Sequence, residues 1–470
     1  MSREPLPEVH VPRQNPLLRG MGLLRDRPRL RSAAAVFTTM SALAATSLVV
    51  GPSVAEPFDA APCALARTDA HHSEGLDTWN AAYPRPARKL DAVMVFLSFP
   101  DAAPLTTPAE LTADHFPATT RFFERASYGR FTLRPHPLRH WLRMPRPSTA
   151  YAIRRDWRVA DRAAYLRDAL AVADRQVDFS RYDVVYFVAD PDAPGVDSDA
   201  TKVVNLETPL RADGTDIRRV VTVFENHPPD RLVLAHETGH VFDLPDLYHR
   251  PVDGKGDWDT YVGDWDLMGS QFGMSPDLFG WHKWKLGWLE PRQVVCVQGG
   301  DAGSVRLTLE PLSAGPGVPP RTGAAGADST FGADGSAAPS GSSYGTVPGF
   351  GLGHGTKLAV VRTGAESALA FEVRGPVGND VETCRQGVLV YRVRSRTESG
   401  SGPVEVIDAH PRSEACWEES VYPPLADAPV ALGESFTVPG DGVRVEVEGR
   451  TAAGAWTVKI TTAGSTRTVG

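Results

Sequence analysis

The sequence predicts a mixed α/β (α+β) domain over residues 91–295, followed by a mostly antiparallel, β-sandwich-like domain over 296–470. Three observations predict this. Nearly unbroken apolar runs at 92–99 and 183–189 read as strands buried on both faces. Between them lie segments whose apolar residues recur at helical spacing. Beyond Cys296 the pattern changes to short alternating runs separated by turn residues, the signature of an antiparallel β domain.

Along the chain, Arg25, Arg27, Arg29 and Arg31 lead into an apolar stretch, Ala33 to Val50, and then Gly51-Pro52-Ser53-Val54-Ala55. This reads as a secretory signal peptide over 1–55 cut after Ala55, with an uncleaved membrane anchor as the alternative. Residues 56–90 are polar and Pro-rich, a short lead-in or prosegment. The first buried strand follows at Ala92–Phe99, then a helix over Thr119–Ser127 and a strand over Phe131–Arg134. Leu166, Ala169, Leu170 and Ala173 mark a helix within Ala160–Gln176, and Asp183–Ala189 is the second central strand. Ser313–Thr356 is a low-complexity Gly/Ala/Ser/Pro tract too poor in large apolar residues to offset its ordering entropy, so a mobile loop or linker is expected. Strands are expected at 357–362, 369–374, 387–393, 404–407, 443–447 and 455–460.

Composition bounds the function. The 470 residues are 42% hydrophobic and 23% charged, which excludes a wholly disordered chain. Net charge is −8, and the first 55 residues hold seven Arg against three acids, so the remainder is more acidic still, with 42 basic against 54 acidic residues. Such a balance argues against nucleic acid or a membrane surface as the main partner, because both require concentrated Lys and Arg. Cys63, Cys296, Cys384 and Cys416 all lie in the exported part and read as two disulfides with three connectivities open. A Cys63 thiolate capping a metal is the less favoured alternative.

The segment that carries chemistry runs from Asp230, read as a helix N-cap, through His236-Glu237-Thr238-Gly239-His240 to Tyr248. His236 and His240, four apart on a helix, share one face and can aim two imidazole nitrogens at one zinc ion. Glu237 is placed to take a proton from metal-bound water, whose pKa zinc lowers to around 7. A catalytic zinc needs a third protein ligand. No Glu lies between Glu237 and Glu290, and Asp246 stands six residues after His240, so the metal set is read as His236, His240 and Asp246, with Asp243 and His249 as substitutes. Three residues after His240 this arrangement normally carries Gly at a sharp turn. Asp243 stands there instead, and Asp tolerates the left-handed conformation better than most residues. Met268, within Trp265-Asp266-Leu267-Met268-Gly269, is read as a Met-turn packing beneath the imidazoles. Tyr248, His249 and Tyr261 are candidates for polarising a carbonyl or steadying an oxyanion. Asp253, Asp257 and Asp259 crowd a Gly-rich loop that is a candidate calcium site, although a solvated acidic turn is the plainer reading.

These residues resemble the secreted zinc metallopeptidases of the bacterial immune inhibitor A-like family. The likeness is carried by Val93 to Asp101, Phe122 to Phe131, His236 to Tyr248, Trp265 to Gly269 and Trp284 to Leu289, and continues through Phe371 to Arg374 and Gly387 to Val393. It covers roughly residues 90–412, interrupted by the low-complexity tract. The resemblance implies an α/β (α+β) zincin-like catalytic domain, zinc at the two histidines, Glu237 as general base and extracellular proteolysis. The expectation is therefore a secreted zinc-dependent endopeptidase acting on protein or peptide substrates by Glu237-assisted attack of zinc-bound water, with no stable membrane association after signal cleavage. The alternative is a surface or cell-wall binding protein with a structural or vestigial zinc site.

Overall fold

The computed structural model describes residues 62–229, 232–251, 255–274, 277–297, 303–315 and 352–463. The expected signal peptide at 1–55 and most of the low-complexity tract lie outside these residues. Five helices, α1 (Pro108–His115), α2 (Ala118–Ala126), α3 (Val159–Ala173), α4 (Val233–Val241) and α5 (Gly280–Lys285), occur among them. The first sheet contains β1 (Lys89–Ser98), β2 (Thr132–Pro137), β3 (Leu142–Arg143), β4 (Val184–Ala189), β5 (Lys202–Ala212) and β6 (Thr215–Val223). Its order is β2-β1-β4-β6-β5, with β3 continuing beside the end of β1. The pairs are parallel except β5 with β6, so β5 is an antiparallel edge strand.

Strand periodicity explains why β1 and β4 are apolar throughout. Ala92, Met94 and Phe96 enter one core together with Val184, Tyr186 and Val188. Val93, Val95 and Leu97 enter the opposite core with Val185, Phe187 and Ala189. The second of these cores is covered by α3 through Tyr165, Leu166, Ala169 and Ala173. The first is covered by α2 and α4 and runs on, without a break at 295/296, into Val360, Ala370, Leu389 and Tyr391.

The rest of the chain supplies β7 (Val294–Val297), β8 (Gly303–Leu309), β9 (Leu358–Arg362), β10 (Ser367–Arg374), β11 (Gly387–Arg394), β12 (Val404–Val406), β13 (Ser435–Thr437), β14 (Val443–Arg450) and β15 (Trp456–Thr462). They form two sheets, ordered β12-β11-β10-β9-β7 and β13-β14-β15-β8. All their pairs are antiparallel except β7 with β9. Phe371, Val388 and Val390 of one sheet share a core with Val445, Trp456 and Val458 of the other. The fold is thus mixed α/β with few helices and three sheets.

Two disulfides close the chain, Cys63–Cys296 and Cys384–Cys416, so Cys63 is a partner of Cys296 and not a metal cap. They fit an oxidising compartment. No helix among the described residues is long and apolar enough to cross a membrane.

Residues 62–88, read from sequence as a lead-in, are built into the core. Trp281 and Trp288 donate indole hydrogen bonds to the carbonyls of Glu74 (3.1 Å) and Pro86 (2.7 Å), and Lys285 Nζ donates to Ser73 O (2.8 Å). The near end of the expected linker is also anchored. Ala314 is buried, and Ser313 Oγ donates to Asp380 (2.8 Å) and Asp277.

Candidate metal centre

The helix that carries the histidines differs from expectation at its start. It begins at Val233 with Leu232 flanking and no side-chain cap, while Asp230 lies outside the described residues. Every residue from Val233 to Val241 is buried, so tertiary burial and not a cap holds this short helix.

Its other end explains Asp243. Leu244 N–H donates to Gly239 O (3.1 Å) and Asp243 N–H to His240 O (3.1 Å), the paired bonds of a Schellman motif, with Asp243 at φ 67° in the left-handed position glycine usually fills. The turn survives because the Asp243 side chain is held. Its fully buried carboxylate accepts from Arg67 Nη2 and from His72 Nδ1 (3.0 Å), while its carbonyl accepts from Lys285 Nζ (2.7 Å). Burial works against the charge, but His72, Lys285 and Arg67 keep the Asp243 pKa below the usual carboxylate range. Asp243 is thus committed to structure and is not a substitute metal ligand.

The same turn and the segment carrying Leu267 orient the two imidazoles. His240 Nδ1 faces the Leu244 carbonyl at 2.8 Å and His236 Nδ1 faces the Leu267 carbonyl at 2.9 Å. A ring nitrogen facing a carbonyl carries the proton, so each Nε2 is left to present a lone pair in the neutral ring. Both Nε2 atoms converge on Asp246 Oδ1, His240 at 3.0 Å and His236 at 3.4 Å. Ligand atoms of His236, His240 and Asp246 all lie within 4.8 Å of one another, the one such group among the described residues. Asp246 Oδ1 is buried and accepts no hydrogen bond. An orphaned carboxylate oxygen between two pre-oriented imidazoles is what a bound divalent cation would satisfy, so these residues fit a metal ion. The site favours positive charge beside Asp246: burial lowers the His240 pKa, but the adjacent Asp246 carboxylate outweighs it and raises the pKa to about 9. The histidines, His240 foremost, hold Asp246 well below its ordinary range against the effect of burial.

No protein-family model matches the chain, and no curated protein matches it. The chemistry of the centre therefore rests on its own residues.

Glu237 is buried beside both rings and accepts the Val203 N–H of β5 (2.7 Å). Burial raises its pKa, and His240 and His236 oppose the rise. Met268 packs against the helix at Gly239. A Cβ on Gly239 would fall 2.5 Å from Met268 Sδ, so any larger residue there must displace the fully buried Met268 side chain. Of the three aromatic candidates only Tyr248 reaches the centre, with its ring 6.2 Å from that of His236 at an interplanar angle of 17°. Burial, then Asp246 and Glu237, push its hydroxyl pKa up, so it stays a donor. His249 and Tyr261 pack edge to face on each other (5.3 Å) and line neither cavity beside the centre. In the calcium candidate, Asp253 lies outside the described residues. Asp257 and Asp259 belong to no three-ligand group among the described residues.

Sequence reasoning missed the supports. Arg67, His72 and Glu74 come from the supposed lead-in. Ser399 and Gly400, on the loop after β11, grip Asp246 through bonds of 2.8 Å to its N–H and 2.9 Å from the Gly400 N–H to its carbonyl. His282 bridges Glu74 (2.7 Å) to Asp266 (3.0 Å), and Asp266 in turn accepts the Met268 N–H (2.7 Å). The adjacent His71-His72 pair was the one visible signal for any of them.

Proposed function

We propose that the chain is a secreted zinc-dependent endopeptidase with a zincin-like catalytic domain similar to that of the immune inhibitor A-like metallopeptidases. The observation that carries this reading is the convergence of two imidazole Nε2 atoms and the orphaned Asp246 Oδ1 beside Glu237, at a cleft. His236, His240 and Asp246 would hold the ion, and three protein ligands leave a position for water or substrate. When bound, zinc supplies Lewis-acid polarisation of a carbonyl and lowers the pKa of a water. Glu237, whose proton affinity burial raises, takes a proton from the attacking water and delivers it to the leaving amine. The Tyr248 hydroxyl donates to the developing oxyanion. Edge strand β5 lines the cleft through Lys202, Val203 and Asn205, and its Val203 N–H holds the Glu237 carboxylate, so a peptide lying along this strand passes the general base.

The test is Glu237→Gln in purified, zinc-loaded protein. The expected outcome is unchanged metal content with casein hydrolysis reduced at least about 100-fold, within the range for loss of a general base. Unchanged hydrolysis contradicts the role of Glu237. Stoichiometric zinc in the unaltered protein with no chelator-sensitive cleavage would favour a binding protein with a structural zinc site.

A further inference from the structure

Two cavities open on Glu237, one of about 370 Å³ running past His236 and one of about 260 Å³ running past His240. They share Arg155, Asp199, Thr201, Glu237 and Tyr248. Arg155 and Asp199 are 3.8 Å apart, so the charges common to both sides offset each other. The unshared walls differ in sign. The larger cavity has Asp259 and no further cation among its described lining residues. The smaller has Lys202 and Arg250, and its one further acid is the ligand Asp246; burial lowers the pKa of His71 and His72 on the same wall, so its sign comes from Lys202 and Arg250.

We propose that this polarity selects the substrate: a peptide with a Lys or Arg side chain on the Asp259 side of the cleaved bond and an Asp or Glu side chain on the Lys202 and Arg250 side. The inference rests on the peptidase reading and specifies its substrate class.

The partners of these groups support the assignment. Asp259 is half-buried, and burial together with Asp264 and Asp257 pushes its pKa up to about 6, as in a carboxylate crowded by its own sign. An incoming ammonium or guanidinium relieves that crowding. Val233, Trp258 and Phe272, the last 61% exposed, give the aliphatic stem of such a side chain an apolar wall. Across the cleft, Lys202 Nζ donates to the main-chain carbonyl of Arg155 (2.6 Å), a bond that leaves its charge uncancelled. Arg250 meets Asp156 at 3.4 Å with both side chains exposed, a pair a substrate carboxylate can displace at little cost. Opposite charges on the two walls also set the direction in which a peptide lies across Glu237, because the reversed peptide meets like charge at both ends.

The experiment uses the processed, zinc-loaded protein and three fluorogenic peptides of one length. Two are isomers with Lys and Glu on opposite sides of a central Ala-Ala bond, in either order, and the third has Gln at both positions. Cleavage at the central bond is confirmed by mass spectrometry. One isomer is expected to show kcat/KM about tenfold or more above the other, with the neutral peptide between them and the ratio shrinking at high salt. Asp259→Asn should reduce discrimination at the Lys position, and Lys202→Met discrimination at the Glu position. Equal cleavage of the two isomers, or a preference untouched by both variants, overturns the inference and leaves the peptidase reading standing. Failure of the zinc-loaded protein to cleave any of the three peptides, or casein, overturns both.

Discussion

Replacing Asp243 by Gly separates two opposed effects whose balance the structure predicts. Backbone conformation alone favours Gly, because Asp243 sits at φ 67°, and relief of a left-handed non-Gly residue is worth about 1 kcal/mol. Side-chain chemistry favours Asp. Its carboxylate is fully buried and is the acceptor for His72, which is itself buried, and for Arg67, whose side chain is only 17% exposed. Removing one member of a buried ionic group leaves the others unpaired, at about 3–5 kcal/mol. The net expectation is a loss of about 2–4 kcal/mol in the Asp243→Gly variant, measured by urea unfolding with both disulfides intact. His72 also stacks on His240, at 5.7 Å between ring centroids, so metal affinity should fall as well, about tenfold by chelator competition. Should the variant prove as stable as the parent, or more stable, the Arg67 and His72 contacts do not hold this turn.

Gly239→Ala forces a methyl to within 2.5 Å of Met268 Sδ, and since Met268 is fully buried the variant should lose about 1–3 kcal/mol in thermal melts. In a Met268→Ala background the cost should largely vanish; an equal cost in both backgrounds would contradict the placement of Met268 under the helix. His282 gives a pH prediction. Burial opposes its charge, but Glu74 and Asp266 raise its pKa from 6.5 to about 9. A pKa raised on folding stabilises the native state fully below about 6.5 and progressively less as pH climbs through 9, here by roughly 2–3 kcal/mol. Urea midpoints should therefore fall between pH 6.5 and 9 in the parent and vary less in His282→Gln, whereas a midpoint equally flat in both would refute the bridge.

Most of the regular elements were legible because their signals are local. Unbroken apolar runs in β1 and β4, helical spacing in α3 and alternation in β14 each depend only on which faces of the element are buried. The α1 helix was legible in principle, since Thr107, Pro108 and Glu110 form a capping box with Pro at the helix start, but its eight residues carry a weak apolar stripe. The grouping of His236, His240 and Asp246 could be read from spacing, because one helical turn and one tight turn bring them together. Its supports could not. Arg67, His72, Glu74 and Ser399 lie far along the chain from the residues they hold, and a polar, Pro-rich segment such as 62–88 gives no sign of burial until its partners are in place. Of Tyr248, His249 and Tyr261, all close in sequence to His240 and Asp246, packing alone decided which stacks beside His236.

Whether His236, His240 and Asp246 hold one divalent metal ion can be measured by X-ray absorption at the zinc edge, on folded protein with both disulfides formed. The expected spectrum shows one zinc per chain with two imidazole nitrogens and a carboxylate oxygen in its shell, and loses that signature in His240→Ala. Protein that folds and keeps its disulfides but retains no stoichiometric zinc, or that binds it with the signature unchanged in His240→Ala, would show that these three residues do not hold the ion.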